Sequence, residues 1–372
     1  MAAVFIDTIK PSMLEWAYKR AGYTESNAIA TFPLLEKWLR KETVPTLTQL
    51  QKFCAKFFIP FGYIFLEQAP IEKLPFTMFR SNGSDKFDVN VYDVVLTIQK
   101  RQDWLEEYLQ DNEIETCQFV GKCNIKTPIN NAVNILRKEL NIEERWAFSL
   151  SNASAAIAYL TQKLEDKGVF ISFNGIVKNN THRPIKVEQC RGFALVNKTA
   201  PYIFINSNDS KTAQVFTIIH ELTHLLIGHS AGHAGEENVL TDEIEKYCDS
   251  VAANFLVPTN LLYEVWQDNI AKTAKIFKVS ELVIMRKAYE VGLINRTKYK
   301  QLYSDYKSKN FFIKNKPKNG GDFYRTSVKR IGKTFAIHIR NAVQNRQLSY
   351  TEAYRLTDLY GNTYQHFMSN NI

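Results

Sequence analysis

The sequence predicts an α+β, mostly helical protein with a small sheet set between two helical regions. Three observations lead there. Four or five short helical segments crowd between residues 8 and 60. Between residues 168 and 205 the helical period gives way to short β-rich runs bounded by Gly, Asn and Pro. Helical spacing then resumes to the end, where residues 270–372 hold 20 Lys and Arg against 6 Asp and Glu, although the whole chain is only +9. A length of 372 residues and a hydrophobic content of 45% suit a globular chain of two or three domains and exclude a disordered one. No apolar run of about 18 residues and no charged leader with an apolar stretch occur, so neither a membrane span nor a secretory signal is expected. Cys54, Cys117, Cys123, Cys190 and Cys248 make no paired pattern. Reduced thiols in a cytoplasmic protein are the expectation.

The first helix reads from Ser12 to Ala21 and stops at Gly22. Thr24 to Thr31 makes a second, and Pro33 to Lys41 a third, with Pro in its first turn. After Pro45, Thr46-Leu-Thr-Gln49 has the form of a capped start to a fourth, running through Leu50, Phe53, Cys54 and Phe57. Short helices with tight polar joints are the pattern of a helix-turn-helix domain. Arg20-Ala-Gly22, Leu35-Glu-Lys-Trp38 and Pro45-Thr-Leu-Thr-Gln-Leu50 resemble the helix-turn-helix of phage-repressor-like (XRE-type) regulators. That resemblance implies DNA as a partner, met by Glu25–Lys41, with Lys37, Arg40 and Lys41 as the contacts. Two departures leave a structural or dimerisation use of the same fold open. Residues 1–75 carry 9 basic and 7 acidic side chains, and Phe32-Pro33 stands where a polar base reader is expected.

Pro60, Pro70 and Pro75 punctuate a linker over Phe61–Arg80. Helices follow at Val91–Leu109, Ile129–Leu140 and Asn152–Asp166, then strands at Gly168–Phe173, Gly192–Val196 and Pro201–Ile205. Asn206-Ser-Asn-Asp-Ser210 supplies N-cap chemistry for a helix from about Thr212 to Ile227, which stops at Gly228.

Within that helix lies His220-Glu221-Leu222-Thr223-His224. Residues four apart share a helical face, so both imidazoles reach one ion, and Glu221 is angled to take a proton from water. Zinc suits such a site as a redox-inert Lewis acid. Two core histidines with ordinary hydrogen bonds are the plainer alternative. A metzincin places Gly three and His six residues after the second ligand; here Gly228 is at four and His229 at five, so that arrangement fails. Glu245 and Asp249 stand four apart on a further helix. Glu245, 21 residues after His224, suits a third ligand on an antiparallel return helix, and Asp249 suits an acceptor for a ligand ring N–H. Glu237, Asp242 and Glu243 compete in the same acidic loop. Tyr247, His229 and His233 are candidate transition-state stabilisers, and His229 equally suits a helix C-terminus.

Phe216–His229, Glu245–Pro258, Arg191–Leu195 and Pro201–Asn206 together resemble the ImmA/IrrE family of metallo-endopeptidases. The resemblance implies a zincin-like domain of gluzincin-like type. His220, His224 and Glu245 are its Zn2+ ligands, Glu221 its general base, and Asp249 stands where many members have Asn. It also implies that an exposed edge of the Pro201–Asn206 strand pairs with substrate. A second helix-turn-helix-like unit spans 270–294, with Arg286 and Lys287 its contacts for an acidic partner, and a Gly/Lys/Asn/Pro loop spans 314–321. Lys329, Arg330, Lys333, Arg340 and Arg346 interleave with aromatics, which suits nucleic acid or an acidic protein.

The expected organisation is a helix-turn-helix domain (1–70), a linker and helical segment (71–150), a zinc peptidase domain (151–262), a second helical unit (263–305) and a basic helical region (306–372). Two functions compete. One is a cytoplasmic endopeptidase cutting a specific protein, a repressor or toxin encoded nearby. The other is a DNA-binding regulator or antitoxin that uses the peptidase fold for binding.

Overall fold

The computed structural model describes residues 4–72, 88–115, 117–229, 238–310 and 322–372. The residues at 314–321, His233 and Glu237 lie outside them. They form two compact units, the first closing at Asp93 and the second opening at Val94.

The first unit contains α1 (Pro11–Arg20), α2 (Glu25–Thr31), α3 (Leu34–Leu39), α4 (Leu47–Lys56) and a 3-10 turn at Phe61–Phe65. Gly22, at φ +80°, makes the turn after α1 that a side chain would strain. The Thr46–Gln49 capping box starts α4, each side chain answering the other's backbone N–H. Phe32, Trp38, Phe53 and Phe57 pack edge-on and tilted at the centre, with centroids 4.7–5.9 Å apart. Phe32, at the position expected of a base reader, thus belongs to the core. Arg20 closes the unit, donating to Glu72 (2.7 Å), Asp93 (3.0 Å) and the Phe58 carbonyl (3.0 Å).

The second unit begins within α5 (Val89–Asp111), followed by α6 (Ile129–Leu140) and α7 (Ala153–Glu165). Then come β1 (Phe170–Asn174), β2 (Ile176–Val177), β3 (Asn180–Pro184), β4 (Gly192–Leu195) and β5 (Tyr202–Asn206). The helices α8 (Lys211–Ile227), α9 (Asn238–Leu256), α10 (Thr259–Val265), α11 (Ile270–Phe277), α12 (Glu281–Glu290) and α13 (Arg296–Asn310) follow. The chain ends with α14 (Phe323–Ile331), α15 (Lys333–Gln344), α16 (Tyr350–Thr357) and α17 (Gly361–Asn370). The fold is therefore mostly helical around a small mixed sheet, as the sequence predicts. Among the described residues no helix is long and apolar enough to cross a membrane.

The sheet has the order β1-β5-β4, with β5 parallel to β1 and antiparallel to β4. This corrects one expectation. The strand at 201–206 is the central one, buried at every residue and hydrogen-bonded on both sides, so it has no edge to offer. The edge on that side is β4. The β2–β3 hairpin went unread because β3 is Asn-Thr-His-Arg-Pro, polar and mostly exposed, without apolar alternation.

The helices α7 and α8 pack on the sheet, and α8 packs along α9. One core includes Ile203, Ile205, Leu222, Val251 and Phe255, and extends to Phe277 and Ile284 of the α11–α12 pair. Elsewhere on the sheet α14 lies along β1, where a Cβ on Gly332 would stand 2.8 Å from the Ile171 carbonyl oxygen, and the Tyr202 hydroxyl donates to the Ile331 carbonyl (3.3 Å). Part of the basic tail is occupied by this packing. Arg330 donates to Asn179 (3.2 Å) and its carbonyl accepts from Arg101 (3.1 Å), whereas Lys329, Lys333 and Arg346 stay exposed.

Candidate metal centre

Helix α8 starts on Ser210, whose hydroxyl accepts from the Ala213 N–H (3.2 Å), and ends on Gly228 at φ +66°. The amides of Gly121 and Cys123 donate to the Leu225 and Leu226 carbonyls in the last turn (3.0 and 3.1 Å), and Leu225 also accepts from the Gly228 N–H (3.1 Å). The last two turns carry His220, Glu221 and His224, and α8 packs along α9, which carries Glu245 and Asp249.

The structure brings His220, His224 and Glu245 together. Nε2 of His220 and Nε2 of His224 lie 3.2 Å apart, and the Glu245 oxygens lie 3.2 Å and 3.1 Å from them. Asp249 Oδ1 is 3.0 Å from Nδ1 of His220, so that nitrogen donates and Nε2 turns its lone pair toward the other ligand atoms. Converging lone pairs repel unless a cation sits among them. Four tetrahedral donors, each about 2.0–2.1 Å from zinc, stand roughly 3.3 Å apart, close to the observed spacing. The residues fit a metal ion of this kind.

The electrostatics agree with a site prepared for positive charge. Burial opposes a charge on His220, yet the hydrogen bonds it donates to Asp249 and Glu245 hold its imidazole up at about 10. Burial likewise works against the Glu245 carboxylate, but the two histidines outweigh it and hold it well below the usual range. Burial pushes Glu221 up to about 8, against the pull of His220 and with the help of Glu245 and Asp249. Its Oε2 is buried and has no hydrogen-bond partner among the described residues.

These groups floor a cleft of about 430 Å³. Helix α8 packs on β4 to one side and on α9 to the other, and Asn254 of α9 accepts from Lys287 of α12 (2.9 Å). One wall is therefore the segment 187–193, leading into β4, and the other is α12.

Several expected site residues stand elsewhere. Tyr247 projects away from the ligands, its hydroxyl donating to the Thr127 carbonyl (2.9 Å), and it does not line the cleft. Nor does His229, whose N–H donates to the His224 carbonyl beyond the end of α8. Glu243 is exposed and apart from the three ligands. Lys287 is buried, bound to Asn254 and Glu290, and is not a free surface contact. Arg286 is exposed on the cleft wall. Lys37, Arg40 and Lys41 are exposed in the first unit, Arg40 paired with Glu36 at 2.6 Å and with Glu42 at 3.9 Å. The sequence reading missed Gly192, where a Cβ would lie 3.3 Å from Glu221 Oε1. A glycine opening an apolar strand was the available signal.

Residues 165–289 match the family model of the IrrE N-terminal-like domain, a metallopeptidase family. The IrrE-like stretch runs from the end of α7 almost to the end of α12, so it holds both ligand helices and both walls of the cleft. Residues 331–370, essentially α15–α17, match a domain of unknown function. None of the curated proteins matches the chain.

Proposed function

We propose that the chain is a zinc-dependent endopeptidase that cleaves a specific partner protein, a DNA-binding repressor, and so switches gene expression. The observation that carries this reading is the convergence of His220, His224 and Glu245 beside a buried Glu221 whose Oε2 has no hydrogen-bond partner among the described residues, in a cleft. Zinc bound by the three ligands supplies a Lewis acid that polarises a carbonyl and brings water ionisation toward neutral pH.

The protein's own groups do the rest. Asp249 accepts the Nδ1–H of His220 and sets its tautomer. Glu221 takes a proton from the attacking water as the C–O bond forms, then passes it to the departing amine as the C–N bond breaks. Just before β4 the Arg191 carbonyl accepts from the Asn206 N–H (2.8 Å), so by antiparallel alternation Gly192, which borders the cleft, turns its backbone groups away from β5. An extended substrate pairs there, next to Glu221.

Metal analysis and cleavage test the reading together. The purified chain is expected to hold close to one zinc and to cut a repressor encoded beside its gene at one bond, with the cut blocked by a chelator. Glu245→Gln is expected to weaken zinc binding by more than about 100-fold, beyond the loss typical of groups that only orient ligands. A metal-free wild-type protein, or full zinc retention by Glu245→Gln, would sink it.

A second reading, a DNA-binding regulator or antitoxin, is supported by the exposed Lys37 and Lys41 on the α1–α4 unit. Without a polar side chain at Phe32 or Pro33, binding on this face is phosphate-led. The double variant Lys37→Ala, Lys41→Ala is expected to weaken binding to the gene's own promoter alike for all sequences and to lower the salt slope by about 2. Titrations at several salt concentrations read it; an unchanged slope removes these lysines from any DNA contact.

A further inference from the structure

We propose that α12 is the substrate-reading wall of the cleft, and that Arg286 on it takes an acidic side chain of a peptide laid across the cleft beside Gly192 at the start of β4. This deepens the peptidase reading and rests on it for the position of the peptide.

Helices α11 and α12 form a helix-turn-helix-like pair, and the second helix of such a pair is the one that reads DNA. Here its readers are turned elsewhere. Leu282, Val283, Arg286, Lys287 and Glu290 all line the cleft, and their spacing places them on one face of α12. Behind that face Phe277 and Ile284 are sunk in the core that also holds α8 and α9. The pair is held as a wall by Lys287 on Asn254 and by the Tyr263 hydroxyl on the Val291 carbonyl (2.8 Å).

The charges on the walls decide what is read. Lys287 is neutralised by Glu290 (3.0 Å). Arg191, on the opposite wall, lies 3.6 Å from Asp209. Arg286 is exposed, lines the cleft and has no ion-pair or hydrogen-bond partner among the described residues. A guanidinium held on a rigid helix beside two aliphatic side chains suits a carboxylate, received in a forked pair, with an apolar neighbour on Leu282 and Val283. The substrate class that follows is an extended peptide segment with Asp or Glu close to the scissile bond, on the side facing away from β4.

The test uses the full chain loaded with zinc and a positional library of fluorescence-quenched decapeptides, one position fixed at a time. Wild type is expected to cleave pools fixed as Glu or Asp at one position about 10-fold faster than pools fixed as Lys there. Arg286→Glu is expected to reverse the preference, shifting the Glu/Lys ratio on the order of 100-fold through like-charge repulsion. Cleavage of Lys pools by the variant shows that it is folded and active. The same preference in both proteins, or no acidic preference in wild type, overturns the inference. If wild type cleaves nothing, the same peptides are measured for binding to Glu221→Gln. Acidic peptides retained there and lost with Arg286→Glu added sustain the inference while the peptidase reading falls; no acidic preference in binding overturns the inference itself.

Discussion

Glu221→Gln is expected to cut peptide-bond cleavage by about 1,000-fold while zinc content and fold stay as they are. The size follows from what the residue does. A positioned general base and acid is typically worth 10²–10⁴-fold, and Glu221 serves once to accept a proton and again to deliver it. Gln matches Glu in shape but does neither. The fold is spared because the carboxylate stabilises little where it sits. Glu221 is buried, its Oε2 lacks a hydrogen-bond partner among the described residues, and burial pushes its carboxyl up to about 8. Exchanging such a group for a neutral isostere leaves no desolvated charge to form and opens no cavity. The ligands are spared too, since His220 is oriented by Asp249 and not by Glu221. Turnover of a cleaved partner, metal analysis and thermal unfolding measured on one preparation decide the matter. Retained cleavage would remove Glu221 as the base, and lost zinc would make it part of the metal shell.

How much of this was legible in the sequence depends on the range over which each feature is determined. The helix at 129–140 and the capping box at Thr46–Gln49 are local, set by spacing and by one side chain answering a backbone three residues away, and both stand where the pattern puts them. His220 and His224 share a face because helical periodicity requires it. Glu245 depends on one further step, the antiparallel return of α9, which a short connection favours. The features that escaped depend on distant partners. That β5 is central follows from β1 and β4 closing on it from both sides; its apolar run by itself tells only that both faces are buried. Lys287 reads as a surface cation until Asn254 and Glu290 are placed around it. Tyr247 follows Glu245 by two residues, about 200° around the helix, which by itself argues against a shared face.

Gly192→Ala is expected to lower cleavage by about 100-fold with only a modest loss of stability, through geometry that no local pattern foretells. A methyl group on Gly192 would stand 2.7 Å from the Thr217 methyl, 2.8 Å from the Phe204 carbonyl oxygen and 3.3 Å from Glu221 Oε1. The first two distances lie below any real carbon contact, and one of the obstacles is the backbone of the central strand. The clash is therefore relieved by moving the start of β4 outward, with Thr217 yielding where it can. Overpacking of this kind costs about 1–3 kcal/mol. The functional cost is larger because the same shift acts on both reaction partners. The start of β4, beside which the proposed peptide lies, moves, and the space above the Glu221 carboxylate narrows. A misplacement of about 1 Å between substrate and catalytic group costs on the order of 100-fold. Zinc binding is expected to stay at the wild-type level, because the three atoms nearest such a methyl group belong to Thr217, Phe204 and Glu221 and not to a ligand. That separates this variant from Glu245→Gln, and the modest shift in unfolding midpoint separates it from a misfolded protein. Wild-type cleavage by Gly192→Ala would mean that substrate does not lie along β4, and the edge-pairing geometry would have to be given up even if Glu221 proved to be the base.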